Sequence, residues 1–291
     1  MKAPAPVPAS GQPLGRQLWR RLWERRSTRA ALLTLGLIVL AALLVPWCSP
    51  YDHSTPSWTH IFRAPTLAGG QVFGTDALGR DLLVRVMWGC RISLLVGLAA
   101  SVVSVLIGVL WGATAGYLGG RSDAWLMRGV DVLYSVPFIP FVIVLNVLFG
   151  RHLILVFAGI GAVSWLDIAR IVRGQTVAIC SREYVDAART LGVRTAAMIY
   201  RHVVPNLMGI VVVYATLTVP AVILFEALLS FLGLGVQAPL ASLGSLVADG
   251  ASEMQSNPYL LIIPSTFLAL IVLCLNHLGD ALRDALDPHE L

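Results

Sequence analysis

The sequence predicts an all-α protein that crosses a lipid bilayer six times, with both termini in the cytoplasm. Hydrophobic residues make up 57% of the chain and charged residues only 13%, where a soluble domain carries about 25% charged residues. The apolar residues come in long uncharged blocks that lack the alternation of a half-buried strand. The net charge of +5 resides mostly in an N-terminal arm and in one stretch between apolar blocks, which fits a membrane orientation signal better than a nucleic-acid surface.

Residues 1–29 form the basic arm, with Lys2, Arg16, Arg20, Arg21, Arg25, Arg26 and Arg29. The positive-inside rule places it in the cytoplasm. The uncharged run between Arg29 and Asp52 supplies the first span, 30–50, since a hydrocarbon core takes roughly 20 helical residues. No small-x-small site follows it, and Val45-Pro46-Trp47 lacks the small residues that precede a lipidated cysteine, so a retained span is expected rather than a cleaved leader.

Residues 51–90 are expected outside, as a loop with an interfacial helix. Within them Gly74, Asp76, Gly79, Arg80 and Asp81 combine an Asx-turn former with two glycines. They read as a tight turn, with a docking surface as the second reading. This loop also holds Arg63 and Arg85, an exception to the charge rule, which counts long loops less.

Residues 91–282 hold five more spans, at about 91–118, 129–149, 151–168, 205–227 and 257–279. The first of these carries Ala100, Ser104, Gly108, Gly112 and Gly116, a small residue at every fourth position and so on one helix face. In lipid such a stripe lets backbones approach closely, and a tight helix contact is expected there. The span at 151–168 runs into Asp167, Arg170 and Arg173, expected as an inner charge network. Glu226 lies near the outer end of the next span, where it either lines a water-filled route or pairs with an arginine. Gly233 and Gly235 break the chain after it, which suits a re-entrant or gating loop where protein covers the backbone. Asp280 and Arg283 form an i,i+3 pair, and 283–291 is a cytoplasmic tail.

The cytoplasmic stretch 169–204 reads as a loop with a short helix. Ser181 suits its N-cap, Glu183 and Asp186 its first turn, and Gly192 its stop. A second helical stretch is expected to end at Pro205. Ala187, Ala188 and Leu191 give the short helix an apolar patch rimmed by Glu183, Asp186 and Arg189, a form that docks into a groove on another protein.

Several functions are excluded. Lys2 is the only lysine, so a phosphate loop built on Gly-Lys-Ser/Thr is impossible in this chain. Cys48, Cys90, Cys180 and Cys274 are scattered without metal-ligand spacing, although Cys48 and Cys90 both fall on the expected outer side. No catalytic triad or carboxylate pair is assembled, and neither the inverted repeats nor the mid-membrane carboxylates of a secondary transporter are seen.

The order Asp186-Ala187-Ala188, Gly192 and His202-Val203-Val204-Pro205 resembles the EAA loop of ABC importer permeases. Asp186 stands for the first Glu of that pattern, His202 for Ile and Val204 for Leu. Phe73 to Val86, Gly161 to Thr176, Ile223 to Gly235 and Leu278 to Pro288 are similar to the peptide and nickel branch of these permeases. The resemblance implies the type I ABC importer transmembrane fold, an extra first helix followed by a five-helix core. It assigns Glu183, Tyr184, Asp186, Ala187, Ala188, Arg189, Leu191, Gly192 and Pro205 to a coupling helix that docks on an ATPase. It further implies a heterodimer with a homologous permease, two ATPase subunits that hold ATP and Mg, an extracytoplasmic peptide-binding protein, and a bacterial inner membrane. Oligopeptides are the expected cargo, with dipeptides, nickel complexes or antimicrobial peptides as alternatives.

Overall fold

The computed structural model of the chain describes residue 23 and residues 25–66, 70–149 and 153–286. The arm up to residue 22 and the tail from 287 lie outside the described residues. Among the described residues there are ten full α-helices: α1 (Arg26–Cys48), α2 (Leu82–Leu118), α3 (Gly120–Ser135), α4 (Phe138–Phe149), α5 (Leu153–Cys180), α6 (Glu183–Thr190), α7 (Thr195–Met198), α8 (Val204–Phe231), α9 (Leu243–Ser252) and α10 (Tyr259–Leu286). A π-helical turn, Ile199–Val203, joins α7 to α8.

Four of these rods are long and apolar enough to cross a membrane, α1, α2, α7 with α8, and α10, or five if the bent pair α3 and α4 counts as one. The expected span 151–168 lies in α5, whose side chains before Gly159 are outside the described residues. Its charges do not end the helix, which continues to Cys180. Arg25 Nη1 lies 2.5 Å from Asp284 Oδ2, so the start of α1 and the end of α10 share one side of the bundle.

Helix α2 is the central post. Its small-residue face packs on α5: a Cβ added at Gly108 would lie 2.9 Å from the carbonyl oxygen of Trp165, at Gly112 2.3 Å from that of Ala169, and at Gly116 2.7 Å from that of Arg173. Backbones this close require glycine. Higher up, Gly97 approaches α8, where an added Cβ would meet Ile223 at 2.7 Å and Val219 at 3.2 Å. On the side away from these contacts Leu95, Leu98, Leu106 and Leu110 of α2 are exposed, as are Leu33, Leu37 and Leu40 of α1. So much exposed leucine suits lipid or another hydrophobic subunit.

Three expectations on element boundaries are corrected. The interfacial helix expected before residue 91 is the first turns of α2, which starts at Leu82 without a break. The span expected at 129–149 is two helices bent by 78° at Val136 and Pro137. Proline lacks the amide donor and forces its predecessor out of the helical region, and Val136 is extended, at φ −73° and ψ 122°. Pro205 ends nothing: it sits in the first turn of α8. The π turn just before it widens the helix and accommodates the missing donor and the bulk of the ring.

Candidate functional site

The segment 181–192 builds a short helix that projects from the bundle. Ser181 does not cap it. Its hydroxyl donates back to the Ala178 carbonyl at 2.9 Å, closing α5. Arg182 takes the N-cap position in an extended conformation, and its carbonyl accepts from Val185 at 3.0 Å. Glu183 and Asp186 lie in the first turn, where their negative charge meets the positive end of the helix. Arg189 Nη1 donates to Asp186 Oδ1 at 3.1 Å, and its guanidinium lies 5.1 Å from the ring centre of Tyr117. Tyr117 beside that guanidinium raises the Arg189 pKa above its ordinary value. The helix stops through Gly192 at φ +78°, with Gly192 N–H donating to Arg189 O at 3.0 Å and Val193 N–H to Ala188 O at 3.3 Å. This left-handed exit favours glycine.

The expected apolar patch needs correction. Ala188 faces inward with Val185, and both join a cluster with Ile179 of α5, Met198 of α7, Ile199 and Val203 of the π turn, Val109 and Ala113 of α2, and Leu207 and Val211 of α8. The outward face is Tyr184, Ala187 and Leu191, all exposed, with Leu191 at 83%. The spacing 184, 187, 191 places these side chains on one side of a helix, while 185 and 188 fall on the other. The helix therefore anchors one face among the feet of α2, α5 and α8 and presents the other.

Arg170 and Arg173 do form charge contacts, but with α3 rather than with Asp167. Arg170 Nη2 lies 2.7 Å from Asp131 Oδ1, and Arg173 grips Asp123 through Nε at 2.6 Å and Nη2 at 2.5 Å. Asp167 stands apart and lines a cleft of about 540 Å³ between the α3–α4 bend, α5 and α8. Sequence reasoning missed this cleft. Pro137, which splays α4 from α3, was its signal.

Glu226 neither lines that cleft nor pairs with an arginine. It is fully buried and accepts from Ser93 Oγ of α2 at 3.1 Å and from Ser230 Oγ at 2.6 Å. Ser93 Oγ in turn accepts from Leu243 N–H at 3.2 Å, and Ser242 caps α9, so one polar knot ties α2, α8 and α9 together. Gly233, at φ +75°, closes the end of α8. A Cβ at Gly235 would lie 1.8 Å from Ser230 Oγ, so these glycines serve a close-packed turn beside that knot.

The turn at 74–81 is equally compact. Asp76 Oδ1 accepts from the amides of Leu78 and Arg80, both at 2.9 Å, and Oδ2 accepts from Arg80 Nε at 2.8 Å and from Arg85 Nη1. Asp81 caps α2, its Oδ1 accepting from Val84 N–H at 2.9 Å, and burial pushes its carboxyl above the usual range. Burial also raises Asp249 of α9, which lies 3.8 Å from Arg85 Nη2. A Cβ at Gly74 would come within 2.3 Å of Arg63 O and one at Gly79 within 1.9 Å of Ser57 O. Tyr259 of α10 donates its hydroxyl to Thr75 O at 2.9 Å and locks the turn to the bundle. Cys48, Cys90, Cys180 and Cys274 are all free thiols.

Comparison with known proteins places this architecture. Residues 104–290 match the family described as binding-protein-dependent transport system inner membrane component, and residues 13–65 match the N-terminal TM domain of oligopeptide transport permease C. The chain is 49% identical over 261 residues to the oligopeptide transport system permease protein OppC of Haemophilus influenzae, covering 90% of this chain and 84% of that one. It is 50% identical to the OppC of Escherichia coli K12, over 91% of this chain and 88% of the relative. Against the dipeptide transport system permease protein DppC of Bacillus subtilis it is 43% identical, over 91% and 84% of the two chains. Its fold is similar to a chain of the MetNI methionine ABC transporter in an inward-facing conformation, with a TM-score of 0.55 and 18% identity over 69% of this chain and 96% of that one. The chain belongs to the family of binding-protein-dependent transport system inner membrane components and has the type I ABC importer fold.

Proposed function

We propose that this chain is the permease subunit of an ATP-driven peptide importer in a bacterial inner membrane, and that it is not itself an enzyme. It pairs with a homologous permease to enclose the route, with two ATPase subunits on the cytoplasmic face and a peptide-binding protein delivering cargo outside. ATP and Mg are held by the ATPases, a division of labour supported by the lack of any lysine beyond Lys2 in this chain. Both termini lie in the cytoplasm, a placement supported by the basic arm and by the shared side of α1 and α10. The relatives named for oligopeptide and dipeptide transport support peptide cargo, with oligopeptides first because both OppC identities exceed that to DppC.

The observation that carries the mechanism is the two-faced helix α6. Its outer side, Tyr184, Ala187 and Leu191, is free to enter a groove on an ATPase, while Val185 and Ala188 engage the feet of three long helices. Movement of the ATPases is thereby passed to α2, α5 and α8 as a rigid-body displacement. The test is ATP-driven uptake of trialanine by the complete transporter in proteoliposomes, with Ala187→Trp as the variant. Uptake should fall at least about tenfold, a loss on the order of 1.4 kcal/mol in coupling, while membrane yield is unchanged. Full uptake by that variant, or uptake without the ATPases, overturns the reading.

A further inference from the structure

The cleft between the α3–α4 bend, α5 and α8 contains one carboxylate that the fold does not use. Asp167 lies on α5, 13 residues before its end at Cys180, or about 20 Å along the helix. It is exposed to the cleft, and among the described residues no hydrogen bond or ion pair reaches it. The two arginines that follow it on α5 are held elsewhere, Arg170 by Asp131 and by the face of Tyr134 at 4.3 Å, and Arg173 by Asp123. An ionisable group at membrane depth is costly unless water or a counter-charge meets it.

Three aliphatic hydroxyls of the cleft share one character. Ser135 Oγ donates to Val132 O at 2.7 Å, Ser164 Oγ to Ile160 O at 2.9 Å, and Thr218 Oγ to Tyr214 O at 2.7 Å. Each hydroxyl hydrogen is committed to the backbone, so each oxygen offers only lone pairs. Tyr214 adds an aromatic ring to the wall, and such faces attract cations, whereas the face of Tyr134 already carries Arg170. Apart from the phenolic hydroxyls of Tyr134 and Tyr214, which both donate and accept, the polar side chains of the lining are acceptors, which complements a ligand that is a positively charged donor.

We propose that Asp167 reads the ammonium groups of passing cargo, whether a peptide's N-terminus or a lysine side chain, and so biases the route toward cationic peptides. Ser135, Ser164 and Thr218 accept from the same group as it moves along the wall. This rests on the peptide-importer reading.

The test uses the complete transporter in proteoliposomes, saturated with loaded binding protein so that delivery does not limit the rate. Trilysine, trialanine and triglutamate are the probes. The wild type should carry trilysine at least about fivefold faster than triglutamate, an effect of the size expected for one partly solvated charge pair. In Asp167→Asn the ratio should collapse to within about twofold, Asp167→Glu should restore it, and ATPase activity stimulated by the binding protein should be unchanged. Equal wild-type rates for the three peptides overturn the inference without any variant, and so does an undiminished ratio in Asp167→Asn, the result expected if a helix of the partner permease fills the cleft. Failure of the wild type to take up any of the three with ATP overturns the peptide-importer reading and this inference with it. Uptake that is brisk but blind to charge removes this inference alone.

Discussion

Arg91 of α2 donates through Nε to the carbonyl oxygen of Ala42 in α1, the acceptor that Pro46 leaves without its helical partner. Its Nη2 reaches the next carbonyl, that of Leu43, at 2.6 Å, and its guanidinium stacks 4.8 Å from the ring centre of Trp88. A proline four residues on removes one amide donor from the ladder, and away from water an unpaired carbonyl is costly. Arg91 repairs the gap and clamps the first helix to the core. Arg91→Leu should lower the stability of the detergent-solubilised protein by about 1.5–3 kcal/mol, the range for hydrogen bonds to a charged group. Adding Pro46→Ala should recover part of that loss, and a thermal-melt cycle of the four proteins measures the coupling. Strict additivity would show that the two residues act independently.

Gly112→Ala should be severely destabilising, because its Cβ would lie 2.3 Å from the carbonyl oxygen of Ala169, a backbone atom that cannot step aside. Gly174→Ala on α5 meets nothing within 4 Å and should stabilise by about 0.5–1 kcal/mol through helix propensity. Melting temperatures of the two variants should move in opposite directions.

Gly192→Ala forces a side chain into a left-handed conformation at φ +78° with open space around it, a backbone penalty of about 1 kcal/mol. Expression should survive. Uptake should drop while the ATPase activity of the complex persists, since the strain misaligns Leu191 without touching the bundle. Equal loss of uptake and of membrane yield would mean that the glycine only helps the chain to fold.

Glu226→Gln should leave trialanine uptake within about twofold of wild type, because an amide oxygen can still accept from a serine hydroxyl. Glu226→Leu should lower the melting temperature, since Ser93 and Ser230 lose their buried acceptor. Lost uptake in a normally melting Glu226→Gln would return this residue to the route.

Asp81 has its carboxyl pKa raised above 3.8 by burial. A raised acid means that the folded state binds more protons than the unfolded one between the two pKa values, so stability falls as pH rises through that window and levels off above it. Asp81→Asn keeps an N-capping side chain but has nothing to ionise. Its melting temperature should equal or exceed that of the wild type at pH 7, and the advantage should shrink toward pH 4. A wild type that is the more stable at pH 7 and loses that lead in acid would reverse the sign.

Hydropathy made the first span legible because nothing interrupts it between Arg29 and Asp52, and the stripe from Gly108 to Gly116 announced its contact because only small residues allow the backbones so close. The failures have local causes. Ala188 is as apolar as Ala187, so composition could not tell the anchored side of α6 from the free one, whereas Val185 three positions earlier held that information. Arg80 and Arg85, in the loop expected outside, stood against the charge rule; both pair with Asp76 in the folded turn, and Asp249 lies beside Arg85, and paired cations carry little orientation signal. Glu226 was read by cost; of the serines that relieve it, Ser230 is one helical turn on, but Ser93 is 133 positions away and carries no local signal.

The unbroken run from Thr195 to Phe231 is 37 residues, about 55 Å of nearly rigid rod. Where Gly97 admits Ile223, this rod rests against α2 roughly two thirds to three quarters of the way up. A sideways push at the Met198 end then pivots it about that crossing, as an oar turns in its rowlock. The opposite tip swings the other way through less than half the distance, and in the importer proposed above one stroke would close one mouth of the route as it opens the other.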